Sequence, residues 1–201
     1  MKKKVLVRAP ILTQSGYGEH ARFTMRALRA YEEYFDIYAI PIEWGKLNWE
    51  WNDTPERRWF DEIFEKSIRY NEAGGQYDLS IQVTIPNEWQ KLAPINIGVT
   101  AGIETNAIAP EWIEKSMLMN RIITISEHAK MTYLNTAYDA QDSNTGQVFK
   151  NFRCNTPIDI VRYPVKETHN LDLQLDLEYD FNFFINAVWT PRKNLDNTIK
   201  W

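Results

Sequence analysis

The chain has 201 residues, 44% hydrophobic and 25% charged, with a formal net charge of -4. That balance suits one large globular domain, or one domain plus part of another, and argues against a general nucleic-acid binder. No apolar run approaches the ~18 residues of a spanning helix, the basic start lacks a small-residue cleavage pattern, and the single cysteine, Cys154, excludes an internal disulfide and any metal-type spacing. A cytoplasmic location and no spanning membrane segment are therefore expected.

Lys3 to Ala9 is a short apolar run behind a basic start and reads as a buried strand. A loop with Ser15-Gly16-Tyr17-Gly18-Glu19-His20 follows. After it Ala21, Met25 and Leu28 recur at helical spacing, with Arg22, Arg26 and Arg29 assigned to the other face. Strand, glycine loop and helix in that order place free N–H groups and the positive end of a helix at the carboxyl edge of a sheet, where anionic or polyhydroxylated ligands are held. Gly16, Gly18 and Ala21 fit the letters of the dinucleotide fingerprint, but six residues, Pro10 to Ser15, separate them from the strand. That motif needs its first glycine directly after the strand, so a nicotinamide oxidoreductase is disfavoured. The bland alternative is that the glycines only turn the chain into the helix.

Tyr34 to Ile42 is the predicted second strand. Glu43 to Asp53 holds Trp44, Trp49 and Trp51 among polar residues and reads as a long loop, either a docking surface or rings packed down onto the domain. Thr54 as cap and Pro55 at the first position open a helix that buries Phe60, Ile63, Phe64 and Ser67 or Ile68 and ends at Gly74-Gly75. Tyr77–Val83 and Ile95–Thr100 are the next strands. The loop Ala101 to Asn106 leads to a short helix from Pro110, Arg121–Ile125 is a fifth strand, and Ser126 caps a helix from Glu127. Asp139 to Thr156 reads as polar and irregular. Ile158–Tyr163 is a sixth strand, Lys166 to Tyr179 a connector, and Phe181–Val188 a new strand before a helix from Pro191. Alternation of this kind implies an α/β, Rossmann-like parallel sheet with helices on both faces. The expected division is 1–165 as the Rossmann-like domain, 166–180 as connector and 181–201 as the first strand and helix of a second, truncated domain. A strand and one helix cannot bury a core alone.

The Lys4–Ala30 unit with its Ser15-Gly16-Tyr17-Gly18 loop, Ile122–Ser126 before a helix, Val161-Arg162-Tyr163-Pro164-Val165, and Phe183–Asn194 with Arg192-Lys193-Asn194 together resemble a GT-B glycosyltransferase of the retaining group called family 4. The resemblance rests on order and spacing, not on one motif. It implies an acceptor-side domain facing a domain that binds a nucleotide-activated sugar. It places Gly16, Tyr17, Gly18, Glu19 and His20 near donor phosphates and acceptor, and Arg192 and Lys193 on the donor diphosphate. Glu104 takes the place of a cleft histidine, as hydroxyl ligand or base, against the alternative of a surface or capping carboxylate. The family's paired glutamates, Glu-x7-Glu, have no counterpart here, so this chain alone is expected to transfer negligibly.

The resemblance implies a nucleotide-diphosphate sugar as donor substrate, a carbohydrate or other hydroxyl as acceptor, and no metal or other cofactor. His20, His128 and His169 are scattered without ligand spacing. His20 sits at the loop as a phosphate or acceptor contact or a helix-surface imidazole, and His128 reads as structural. A non-catalytic carbohydrate-binding or interaction module is the rival function, favoured by the tryptophans from Trp44 to Trp59.

Overall fold

A computed structural model of the chain describes residues 2–141, 145–165, 174–187 and 189–200. It divides into two compact units, Met1–Val165 and Lys166–Trp201.

In the first unit, β1 (Lys3–Ala9), α1 (Gly16–Arg29), β2 (Phe35–Pro41) and α2 (Pro55–Glu72) are followed by β3 (Leu79–Val83), β4 (Ile95–Thr100) and α3 (Pro110–Ser116). Then come β5 (Arg121–Thr124), α4 (Glu127–Asn135), β6 (Ala137–Gln141), β7 (Val148–Arg153) and β8 (Ile158–Ile160). Six strands form one sheet in the order β2-β1-β3-β4-β5-β8, and every pairing in it is parallel. This is a Rossmann-like α/β fold. Among the described residues, no helix is long and apolar enough to cross a membrane.

Alternation along the strands sends successive side chains to opposite faces. Val7, Ile81, Val83, Val99 and Ile123 share one face through the register. There Ala21, Met25 and Leu28 of α1 join Val5, Val7 and Val99 in a buried cluster, each large aliphatic contributing about 1.5–3 kcal/mol. On the other face Ile122 packs with Ile113 of α3, Tyr133 of α4 and the fully buried Trp89. Gly98 lies flat beneath that indole, where a Cβ would come within 2.5 Å of the ring. The β3–β4 connection has only a 3-10 turn, Pro86–Glu88. Buried amides fix it: Asn96 Oδ1 accepts from Ser80 Oγ, Leu92 N and Ala93 N, and Gln82 bonds Gln90 through both its N–H and its carbonyl.

Helix α2 starts as predicted, Thr54 accepting from Arg57 N with Pro55 at the first position. It buries Phe60, Ile63 and Ser67, while Ile68 is exposed. The Ser67 hydroxyl accepts from Ala39 N at 2.8 Å and so occupies part of the free edge of β2.

The stretch 139–156 departs from the expectation of an irregular loop. β6 and β7 form an antiparallel ribbon with Tyr138 opposite Phe152. Only those two rings turn toward the core, and the rest of the ribbon is mostly exposed. Tyr138, Ala140, Val148, Phe149 and Phe152 keep no regular alternation with polar residues along the two strands, so no period of two marked it.

The second unit carries a 3-10 turn at Pro191–Lys193 and a short helix, α5 (Leu195–Lys200). The predicted strand over 181–188 does not form across its described residues, 181–187. An apolar run becomes a strand only by pairing its backbone with a neighbour, and Phe183 and Phe184 remain exposed. Val188 lies outside the described residues.

Candidate functional site

The connection out of β1 runs toward the β2 side of the sheet, and that out of β3 runs the opposite way toward β4. The carboxyl ends of β1 and β3 therefore flank a topological switch point, where open parallel sheets form a ligand crevice. The Pro10–Ser15 segment and the start of α1 form its wall.

Helix α1 begins earlier than the sequence suggested. Ser15, in extended conformation, is the N-cap and accepts from Gly18 N at 2.9 Å, so Gly16, Tyr17, Gly18, Glu19 and His20 lie in the first two turns of the helix and not in a loop. Thr13 Oγ1 donates to Pro10 O, which leaves Ser15 Oγ to donate to Thr13 Oγ1 at 2.8 Å. The two glycines differ. A Cβ on Gly18 would stand 2.0 Å from Thr13 O, whereas one on Gly16 would meet nothing within 4 Å. Gly18 is thus required by close backbone packing, and its N–H is already used. The N–H groups of Gly16 and Tyr17 belong to the first turn, where a helix supplies no acceptor of its own, and they carry the positive end of its dipole.

Arg22, assigned above to the outer polar face, is buried. Its Nη1 donates to Ile11 O at 2.8 Å and Thr13 O at 3.0 Å, and its Nε to Glu19 Oε2 at 2.9 Å. The incoming loop folds back over the helix and supplies carbonyls that no helical wheel contains. Glu19 also accepts from Arg26, whose guanidinium clasps both oxygens of Glu56 at 2.6 and 2.7 Å.

Tyr17 reaches across the crevice. Its Oη accepts from Ala101 N at 3.1 Å and bonds Thr100 Oγ1 at 2.9 Å, linking α1 to the carboxyl end of β4. Burial raises the pKa of the phenol above its ordinary 10. Trp44 packs on the Tyr17 ring with centroids 4.5 Å apart. The tryptophan-rich segment is tied to the loop after β1 by Gln14 N→Asn48 O and Glu50 N→Leu12 O, with Thr13 opposite Trp49 in an antiparallel bridge. Trp49 packs against the core, while Trp51, stacked on it with centroids 6.0 Å apart, is 74% exposed.

His20 is the fifth residue of α1. It is buried, its ring meeting Tyr163 edge-on with centroids 4.8 Å apart. Its Nδ1 has no hydrogen-bond partner, and burial lowers its pKa from 6.5 to about 4, so it is neutral at pH 7.

Glu104 is exposed in the loop after β4, the same loop whose first residue, Ala101, donates to Tyr17. His128 Nε2 bonds Thr105 O at 3.1 Å and steadies that loop, which fits its structural assignment. Lys193 is exposed on the 3-10 turn of the second unit, where Arg192 also stands; the Arg192 side chain and His169 lie outside the described residues. Gly16, Tyr17, Gly18, Glu19 and His20 are therefore gathered on one helix, Glu104 stands on a neighbouring loop, and Arg192 and Lys193 belong to the other unit. Thr100 is the residue of this region that the sequence did not single out; Trp44 was read only as part of the tryptophan-rich loop and Arg22 only as part of the polar helix face. Among the described residues, no three His, Cys, Asp or Glu side chains gather as a metal-ligand set.

Compared with protein families, with curated proteins and with solved structures, the chain finds no match.

Proposed function

We propose that the chain is the acceptor-side part of a retaining glycosyltransferase, which moves a sugar from a nucleotide-diphosphate donor to an acceptor hydroxyl. The observation that carries this reading is the Tyr17 bridge. A phenol planted in the first turn of α1 spans to Thr100 and Ala101 at the carboxyl end of β4, one strand from the switch point, beside the amides of Gly16 and Tyr17. Such amides suit the developing negative charge of a departing diphosphate. The Trp44 and Tyr17 rings suit the apolar faces of a sugar. In this reading Lys193 and Arg192 are the cations for the diphosphate and Glu104 orients or deprotonates the acceptor hydroxyl, as the family resemblance implies. The donor is a substrate, and the reading calls for no metal.

A second reading, a carbohydrate-binding or interaction module, is favoured by the exposed Trp51 stacked on Trp49. Calorimetric titration with UDP, GDP and their sugars separates the two. Transfer predicts that one nucleotide class binds, about tenfold more weakly in Lys193→Ala and unchanged in Trp51→Ala. If no nucleotide sugar binds, the transferase reading fails. Binding of free saccharides that only Trp51→Ala abolishes establishes the module.

A further inference from the structure

Beyond the polar crevice, α1 shapes a second space. A cavity of about 340 Å³ lies along its flank, with Ile81, Val99 and Ile123 of the sheet as floor, Phe23 and Ala27 of the helix on one side and Tyr163 on the other. That volume falls within the range of small-molecule sites. A smaller cavity of about 290 Å³ shares His20, Phe23 and Tyr163 with it and reaches Gly16 and Glu19 at the helix start. His20 and Tyr163 thus stand between an apolar chamber and the rim of the crevice.

The walls are mostly apolar, and of their polar side chains Arg162 and Tyr163 belong to the exposed 161–165 segment. Thr24 Oγ1 is already used, donating to His20 O at 3.0 Å. His20 is only 7% exposed, its ring lines both cavities and its Nδ1 is unpartnered. A buried polar atom without a partner is costly, so an orphan imidazole nitrogen beside an open chamber points to a ligand that completes its bonding. A half-turn of the ring about its second side-chain torsion exchanges the positions of Nδ1 and Cδ2 and lets either face of the site present a nitrogen.

We propose that this chamber binds an uncharged, compact apolar molecule bearing one hydroxyl, a phenol or alicyclic alcohol, whose apolar body rests on Ile81, Val99 and Ile123 and whose hydroxyl bonds the imidazole of His20. A neutral imidazole offers one donor and one acceptor nitrogen, and a hydroxyl complements either. On the floor of Ile81, Val99 and Ile123 an ionised group would lose its hydration without a compensating partner, and the cation of the lining, Arg162, belongs to the exposed 161–165 segment. The site is independent of sugar transfer: it can be filled whether or not a nucleotide sugar binds.

The test is fluorescence titration of the 201-residue chain with 2-naphthol, and with naphthalene as the analogue lacking the hydroxyl. Saturable binding of one 2-naphthol per chain is expected. His20→Phe should weaken 2-naphthol about three- to tenfold, the value of one neutral hydrogen bond, and leave naphthalene unchanged. Ala27→Phe, at an exposed helix position on the rim, and Ile123→Phe, on the floor, should each abolish binding of both probes; melting curves identify which variants are folded. No saturation by 2-naphthol, binding indifferent to both filling variants, or equal effects of His20→Phe on the two probes would each overturn the proposal.

Discussion

Replacing Arg22 by alanine should destabilise the first unit by about 2–4 kcal/mol. The guanidinium is only 10% exposed and makes three hydrogen bonds of 2.8 to 3.0 Å. Two of them end on Ile11 O and Thr13 O, and a buried acceptor stripped of its partner costs about 1–3 kcal/mol. The third, to Glu19, counts for less, because that carboxylate is about one-third exposed and also held by Arg26. Arg22→Lys should recover part of the loss, since one ammonium keeps the charge but cannot span both carbonyls and Glu19 in a planar fork. Urea denaturation followed by circular dichroism gives the stability difference. Hydrogen exchange at the Thr13, Ser15 and Gly18 amides tests the mechanism, because the loop should loosen before the sheet does. A loss below about 0.5 kcal/mol for Arg22→Ala, with unchanged exchange at those amides, would mean that the Ser15 cap holds the loop without help from the arginine.

The two helix-start glycines should part company. Gly18→Ala drives a Cβ into Thr13 O, 2.0 Å away, and should cost at least about 2 kcal/mol; Gly16→Ala enters open space and should be neutral or stabilising by up to about 1 kcal/mol, both read from denaturation midpoints. Tyr17→Phe leaves Ala101 N–H and Thr100 Oγ1 without their bond to the phenol and should cost about 1–2 kcal/mol, with faster exchange at Ala101 as its signature. His20 should make the fold acid-sensitive. From its ordinary 6.5 down to about 4 the unfolded chain takes up a proton that the folded chain refuses, so stability is full above 6.5 and falls as pH drops, by about 2 kcal/mol between pH 8 and pH 5. Denaturation of His20→Phe at the same pH values should lack that component; an equal slope in both proteins would refute it.

Much of the fold was legible because its signals are local. Thr54 and Ser126 cap their helices through bonds to N–H groups three residues on, and Pro55 and Pro110 stand at first positions, so a few adjacent letters carry the boundary. The buried parallel strands announce themselves as apolar runs. The ribbon of β6 and β7 was illegible for the converse reason: Tyr138 and Phe152 turn toward the core while Val148 and Phe149 stay exposed, so no alternation separates an inner face from an outer one. The candidate site was legible in position and not in detail. Tyr17 finds Thr100 across 83 residues of chain, and Gly18 is a glycine because of a carbonyl five residues earlier that folds back against it. Spacing alone could not tell that glycine from one meant for a ligand.

Helix α1 also shows how one segment can hold two apolar stripes while its sequence displays one. Ala21, Met25 and Leu28 form the evident stripe and are spent on the cluster with Val5 and Val7. His20, Phe23, Thr24 and Ala27 repeat the same i, i+3, i+4, i+7 spacing, yet a histidine, a threonine and an alanine conceal it from a hydrophobicity count. Their partners are on the sheet: Ile81 and Ile123 on the same face are only partly buried and line the chamber beside α1. A parallel sheet ordinarily has both faces covered, so the physics that seats the first stripe on β1 also makes the second stripe and its bare isoleucines a place that gains by being filled. The polar crevice at the helix start and the apolar chamber along its flank therefore follow from one choice, the angle at which Ser15, Gly18 and Arg22 fix α1 to the loop leaving β1.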